Sequence, residues 1–92
     1  MNKRIYKYEL GNDEFQLIDM PINSKILCVQ LQRGIPHIWV EVDEQYRSEG
    51  NFPLVGRQIY TVFTGDIIPS DAERYIGTYQ SEEGFIVYHV YC

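Results

Sequence analysis

Cysteine and histidine are scarce in this sequence, with two of each among 92 residues. Disulfide-stapled secreted domains contain more cysteines at closer spacing, so we expect free thiols, with Cys28 buried as a small hydrophobic side chain. Structural zinc sites use three or four closely spaced ligands. Cys28, Cys92, His37 and His89 lie far apart along the chain. The sequence therefore predicts neither a metal site nor a cofactor.

Positive charge and long hydrophobic runs are also scarce. Eight Lys and Arg residues stand against 13 Asp and Glu residues, giving a net charge of −5. Affinity for long DNA or RNA depends on clustered cations, so we expect no such partner. No segment approaches the roughly 20 apolar residues of a membrane span, and the start, MNKRIYKYEL, has no apolar signal-peptide core. We expect one β-rich domain over 1–92 in the cytoplasm, with no membrane partner.

Motifs that carry catalysis are missing as well. The chain has no glycine-rich phosphate loop. Cys28 stands in the apolar run ILCVQL, with no glycine elbow and no helix N-terminus to activate its thiol. Most carboxylates fall at turns and strand ends, where acidic side chains are usually solvated. We therefore predict a protein that is not an enzyme and has no catalytic residue.

Aromatic residues are abundant: eight tyrosines, four phenylalanines and one tryptophan. Most stand in alternating runs such as IYKYEL and PHIWVEV, a period typical of half-buried strands. The final run, FIVYHVY at 85–91, is apolar on both faces. This indicates a central strand or one covered by a partner subunit. The fold class predicted is all-β: a seven-stranded antiparallel sandwich or partly open barrel, with at most one short helical turn near 69–74. We place the strands at 5–10, 15–19, 24–32, 35–43, 58–64, 75–80 and 85–91.

Two long connections, 44–57 and 65–74, interrupt the alternation. Loops of such length in a small domain are usually functional or mobile. They contain arginines and aromatic rings, which suit a nucleotide-like ligand through bidentate hydrogen bonds and base stacking. The same residue types also form ordinary protein interfaces. The candidate ligand-binding residues are Trp39, Tyr46, Arg47, Phe52, Arg57, Arg74 and Tyr75.

Three segments give the chain a resemblance to a known family: IYKYEL, SKILCVQLQRGIPHIWVEVD and RYIGTYQSEEGFIVYHVY. Their most specific parts are the hairpin around Gly34, Pro36 and Trp39, the YIGT segment at 75–78 and the HVY ending at 89–91. In these parts the chain resembles a family of small tailed-bacteriophage proteins of unknown function. The similarity extends over nearly the whole chain apart from the 44–57 loop.

The resemblance implies a phage accessory protein in the host bacterial cytoplasm, a setting in which such proteins often counter host defence. It suggests a homo-oligomeric sponge that sequesters a cyclic-nucleotide-type immune signal at a subunit interface without cleaving it. Tight binding by so small a chain would need a pocket shared between subunits. The acidic composition leaves open a protein-binding inhibitor of a host defence enzyme or complex. A minor virion or assembly component is a third reading.

Overall fold

The computed structural model describes residues 2–81 and 83–92 and is built from strands, as the alternation predicts. One short 3₁₀ helix, Glu44–Tyr46, is the sole helical element in the described part of the chain. The strands are β1 (Lys3–Glu9), β2 (Phe15–Pro21), β3 (Lys25–Gln32), β4 (Ile35–Asp43), β5 (Leu54–Phe63), β6 (Tyr75–Gln80) and β7 (Val87–Tyr91).

The strands form two antiparallel sheets, which confirms the predicted all-β sandwich class. The three-stranded sheet has the order β1-β4-β3, and the four-stranded sheet has the order β2-β5-β7-β6. Strand β7 is central in its sheet, as its two apolar faces indicate. Strands β5 and β6 both pair with β7, so they run parallel, and the 64–74 connection between them is a crossover.

The core lies between the sheets and is filled by the inward residues of each alternating run. In β4, Ile38, Val40 and Val42 are fully buried, while the alternate residues His37, Trp39 and Glu41 face outward. The core cluster is completed by Leu10, Met20, Ile26, Val29, Ile59, Ile76, Tyr79 and Val90. Because side chains alternate along each strand, the residues between these core positions face outward from the two sheets.

One side of the sandwich is closed where the edge strands β3 and β6 lie against each other. A Cβ atom on Gly77 would stand 2.8 Å from Val29 Cγ1, so only glycine allows this close approach. Arg57 Nη1 donates to the Ser24 carbonyl at 2.8 Å, and Arg74 Nη2 donates to the Ile26 carbonyl. We call this contact, defined by Val29, Gly77, Arg57 and Arg74, the seam.

Several details differ from the sequence prediction. A bulge between Ile26 and Cys28 shifts the register of β3, so Leu27 is exposed while Val29 is buried, and Cys28 is only half-buried. Leu31, near the end of the strand, is exposed as well. Strand β5 starts at Leu54 rather than at residue 58, because Leu54 pairs with Pro21 of β2. The 69–74 segment, by contrast, agrees with the prediction of at most one helical turn: it contains a turn in which the Ala72 N–H donates to the Pro69 carbonyl, and no helix.

Candidate functional site

The first part of the 44–57 loop is an ordered structure held by Arg47. Its guanidinium stacks on Phe52 at 4.4 Å, donates to the Glu44 carboxylate at 2.7 Å and donates to the Gly50 carbonyl at 3.0 Å. Arg4 of β1 also donates to Glu44. Hydrogen bonds from Arg47 and then Arg4 lower the pKa of Glu44 from 4.5 to about 2. Arg47 and Phe52 thus brace the loop, and partly exposed Tyr46 ends the 3₁₀ helix beside them.

Arg57 and Arg74 meet at an open cleft beside the seam. The cleft has a volume of about 530 Å³ and is also lined by Gly56, Gln58, Asp71, Glu73 and Cys92. Each guanidinium makes one hydrogen bond, Arg57 to the Ser24 carbonyl just before β3 and Arg74 to the Ile26 carbonyl within it, so several of its five donors remain available within the described structure. Two carboxylates offset the two cations, which gives the cleft a mixed electrostatic character.

Trp39 lies on the outer face of the three-stranded sheet and does not line the cleft of Arg57 and Arg74. Lys7 Nζ stands 5.9 Å from its ring centroid, and the His37 ring is stacked against it at 6.4 Å. The seven candidate residues therefore divide among separate places: Trp39 on one outer face, Tyr46, Arg47 and Phe52 in the loop, and Arg57 and Arg74 at the cleft. Tyr75 belongs to a further group.

That group is an aromatic row across the outer face of the four-stranded sheet. Strand pairing places Phe15, Tyr60, Tyr91 and Tyr75 side by side, one from each strand. Ring centroids are 5.4 Å apart for Phe15 and Tyr60 and 5.5 Å apart for Tyr75 and Tyr91. Tyr60 is only 6% exposed, and burial raises its pKa, with smaller effects of the Asp71 and Glu73 charges. Cross-strand aromatic pairs of this kind stabilise a sheet. The two rings at the ends of the row, Phe15 and Tyr75, are exposed and available for contact.

A chain of hydrogen bonds runs beside the aromatic row and fixes His89. Its Nε2 atom is 2.8 Å from Thr64 Oγ1, and its Nδ1 atom is 3.1 Å from Thr78 Oγ1. Thr78 Oγ1 lies 2.6 Å from the Tyr75 hydroxyl. Each ring nitrogen can donate to or accept from a hydroxyl, so both nitrogens of His89 have a partner on this sheet face.

One end of the four-stranded sheet presents apolar side chains to solvent. Phe63, Phe85 and Ile86 line a groove of about 220 Å³ together with Thr64 and Val87. Phe85 is 85% exposed, and Phe63 and Ile86 are each more than 40% exposed. We call Phe63, Phe85 and Ile86 the apolar tip. Exposed aromatic and aliphatic groups in one patch are typical of an interaction site.

Comparison with protein families supplies one match, and it extends over the whole chain. The model of the domain of unknown function DUF7352 matches residues 1–92. This chain belongs to the DUF7352 family. No curated protein and no solved structure matches it. In the residues that the structure describes, no helix is long and apolar enough to cross a membrane.

Of the residues in the aromatic row and the apolar tip, Tyr75 alone is among the seven candidate residues predicted from the sequence. The row needs the order β2-β5-β7-β6, since residues 15, 60, 75 and 91 are distant in the chain. The tip had a readable signal: Phe85 and Ile86 directly follow the turn residue Gly84, where apolar residues are uncommon. The alternation instead predicts that residues 85 and 86 begin the last strand, which in the structure begins at Val87.

Proposed function

We propose that this DUF7352 domain is a non-enzymatic binding protein that docks on a protein partner through the apolar tip. The observation that carries the proposal is the exposure of Phe85, whose ring is 85% accessible to solvent beside Phe63 and Ile86. Burying an apolar side chain of this size contributes roughly 1.5–3 kcal/mol. Exposed aromatic anchors of this kind are the usual centres of binding energy in protein interfaces.

The charge of the domain defines the partner's chemistry. With a net charge of −5, the domain favours a partner whose apolar pocket is bordered by lysine or arginine. Opposite charge at the rim speeds association and sets orientation, while the buried apolar anchors set the dissociation rate. The proposed complex therefore weakens moderately as salt rises and strongly when an anchor is removed.

The resemblance to small tailed-phage proteins supplies the biological setting of the proposal. In this setting the partner is a host defence enzyme or complex, and the domain acts in the host bacterial cytoplasm as a homo-oligomer. Inhibition by docking requires no cofactor and no catalytic residue. A partner from the virion would instead make the domain a minor assembly component.

The test is affinity capture from bacterial lysate with the purified domain and its Phe85→Ser variant. The expected result is one stoichiometric host protein that the wild type retains and the variant loses. Ile5→Ser is the matched control, because Ile5 is also an exposed apolar residue but lies on the other sheet. It should retain the same protein as the wild type.

Titration of the identified protein with purified domain then measures the effect of Phe85→Ser directly. We expect the variant to lose about 2 kcal/mol of binding free energy, which raises the dissociation constant roughly 30-fold. Equal capture by wild type and Phe85→Ser, or no stoichiometric partner for the wild type, contradicts the proposal. Identification of a virion protein would redirect it from host defence to assembly.

The cleft at Arg57 and Arg74 favours a second candidate, sequestration of a cyclic-nucleotide-type immune signal. Two guanidiniums with donors to spare line one cleft, and paired arginines suit phosphate oxygens. In this candidate the domain acts as a sponge, with a second subunit covering the ligand. Arg47 and Phe52 take no part, since their contacts are made within the loop.

Calorimetry with a panel of cyclic di- and trinucleotides tests the second candidate. Glu73→Gln removes a negative charge from the cleft and should tighten binding by roughly fivefold, if one nearby charge is worth about 1 kcal/mol. Glu9→Gln on β1 is the control and should leave affinity unchanged. No heat with any compound would remove this candidate and leave the protein-docking proposal intact.

A further inference from the structure

Strand β2 has a free edge whose unpaired backbone groups can be identified from its pairing with β5. Thr61 N–H donates to the Glu14 carbonyl and Ile22 N–H donates to the Pro53 carbonyl. The register is the same throughout, so the even-numbered residues of β2 hydrogen-bond to β5. The N–H and C=O groups of Phe15, Leu17 and Asp19 therefore point away from the sheet.

No other element in the described part of the chain pairs with these groups. The four-stranded sheet ends at β2, and the backbone hydrogen bonds outside the ladders do not involve Phe15, Leu17 or Asp19. The side chains of Phe15 and Leu17 are exposed on the outer face of this edge, Leu17 by 62%. An exposed, apolar edge strand is a template for pairing with another strand.

Strand β1, the free edge of the three-stranded sheet, is protected from pairing by its lysine side chains. Its even-numbered residues bond to β4, so Lys3, Ile5, Lys7 and Glu9 form its free edge. Lysines on an edge prevent self-pairing, because a second copy would bring like charges together. The free edge of β2 has no lysine or arginine, and Asp19 is its one charged residue. Of the two edges, only β2 is suited to self-association.

We infer that two copies of this chain join antiparallel along β2, with a two-fold axis at Leu17. In this register Leu17 faces Leu17 of the second copy and Phe15 faces Asp19, so every free N–H meets a free C=O. Pro21, which has no N–H, lies outside the paired residues. The two Asp19 carboxylates stay apart from each other. The inference rests on the proposed homo-oligomeric state and names its surface.

The pairing joins two four-stranded sheets into one continuous sheet. Leu17 of each copy lies directly opposite Leu17 of the other, and Phe15 of each copy lies diagonal to it on the same outer face. The exposed apolar side chains of β2 thus become neighbours in the dimer, and this contact adds to the backbone hydrogen bonds.

The test is sedimentation over a wide concentration range with the wild type, Leu17→Lys and Ile5→Lys. Leu17→Lys gives β2 the lysine that β1 already has, and Ile5→Lys is the matched change at the middle of the other edge. Both residues are about 60% exposed, so neither change should unfold the chain, which circular dichroism checks. The wild type should form a dimer of twice 10.9 kDa.

Leu17→Lys should raise the dimer dissociation constant more than roughly tenfold, and Ile5→Lys should leave it unchanged. A dimer that tolerates Leu17→Lys overturns the β2 interface while the proposed oligomeric state stands. A wild type that is monomeric at every concentration overturns both. A dimer lost only in Ile5→Lys would place the interface on β1 and also overturn the inference.

Discussion

The two sides of this sandwich solve the problem of exposed strand edges in different ways. At the seam, β3 and β6 cover each other, and arginine side chains satisfy the carbonyls of Ser24 and Ile26. At the other end of each sheet the edge strand is uncovered: β1 carries lysines along its free edge, and β2 has free backbone groups with apolar neighbours. The difference indicates that the seam contributes stability, whereas the free edge of β2 is available for association.

The three arginines among the candidate ligand-binding residues make mainly structural contacts, for the same reason. Arg57 and Arg74 serve as bridges between sheets that share no strand pairing. Arg47 has the same kind of role in the loop, where it binds Glu44 and the Gly50 carbonyl. In the described part of the chain the two sheets share no backbone hydrogen bonds between strands, so in a domain with a small core these side-chain hydrogen bonds connect them instead.

The largest effect is expected at the closest point of the seam. Gly77→Val would press a branched side chain against Val29 and should destabilise the domain by about 3 kcal/mol. Urea unfolding measures the loss. Gly56→Ala is the control, because the nearest atom to its added Cβ is the Asp19 carboxylate oxygen at 3.4 Å, an ordinary contact distance. Equal stability of Gly77→Val and wild type would show that the sheets are not in close contact there.

A smaller effect is expected when an arginine bridge is removed. Arg57→Met keeps most of the side-chain length but leaves the Ser24 carbonyl without its donor, which should cost about 1–2 kcal/mol. Thermal and urea unfolding measure the change. Arg33→Met, at an exposed turn, is the comparison variant and should be nearly neutral. An equal loss of stability in Arg57→Met and Arg33→Met would show that the hydrogen bond from Arg57 does not hold the two sheets together.

The smallest effect concerns Glu44, which joins Arg4 of β1 to Arg47 of the loop. The pKa of Glu44 is lower in the folded protein, about 2 against 4.5, so its ionised form stabilises the fold above pH 4.5. This contribution is lost as the pH falls from 4.5 through 2. Glu44→Gln should therefore be less stable at neutral pH, by a small amount because solvent screens the exposed pairs.

Urea midpoints of wild type and Glu44→Gln at several pH values check this prediction. The difference between the two proteins should shrink steadily below pH 4.5 and vanish near pH 2. High salt should reduce it as well. A difference that is constant with pH would mean that the carboxylate charge plays no part.

Local alternation was sufficient to predict the strands and the fold class. The run from Ile35 to Asp43 specifies both its strand and its buried face, since Ile38, Val40 and Val42 occupy alternate positions. It failed in β3: alternation puts Leu27 and Val29 on one face, whereas the bulge after Ile26 leaves Leu27 exposed and Val29 buried. A bulge depends on the partner strand, so the pattern of β3 alone does not contain it.

The candidate site was harder to predict, because residue type does not reveal which partners a side chain finds. Arg47 and Phe52 are candidate ligand-binding residues because they are close in the chain; in the structure they contact each other, and Arg47 also binds Glu44. The free edge of β2 depends on strand order, which no local pattern specifies. Position in the sheet, and not composition, distinguishes the open edge from the guarded one.

Amide hydrogen exchange measured by NMR at low and high protein concentration tests the central claim, that β2 is the open edge through which the chain associates. The amides of Phe15, Leu17 and Asp19 should exchange rapidly in the dilute monomer and become protected as concentration rises. Those of Ile5 and Lys7 on β1 should exchange rapidly at every concentration. Protection that appears on β1 instead, or on neither edge, would contradict the account.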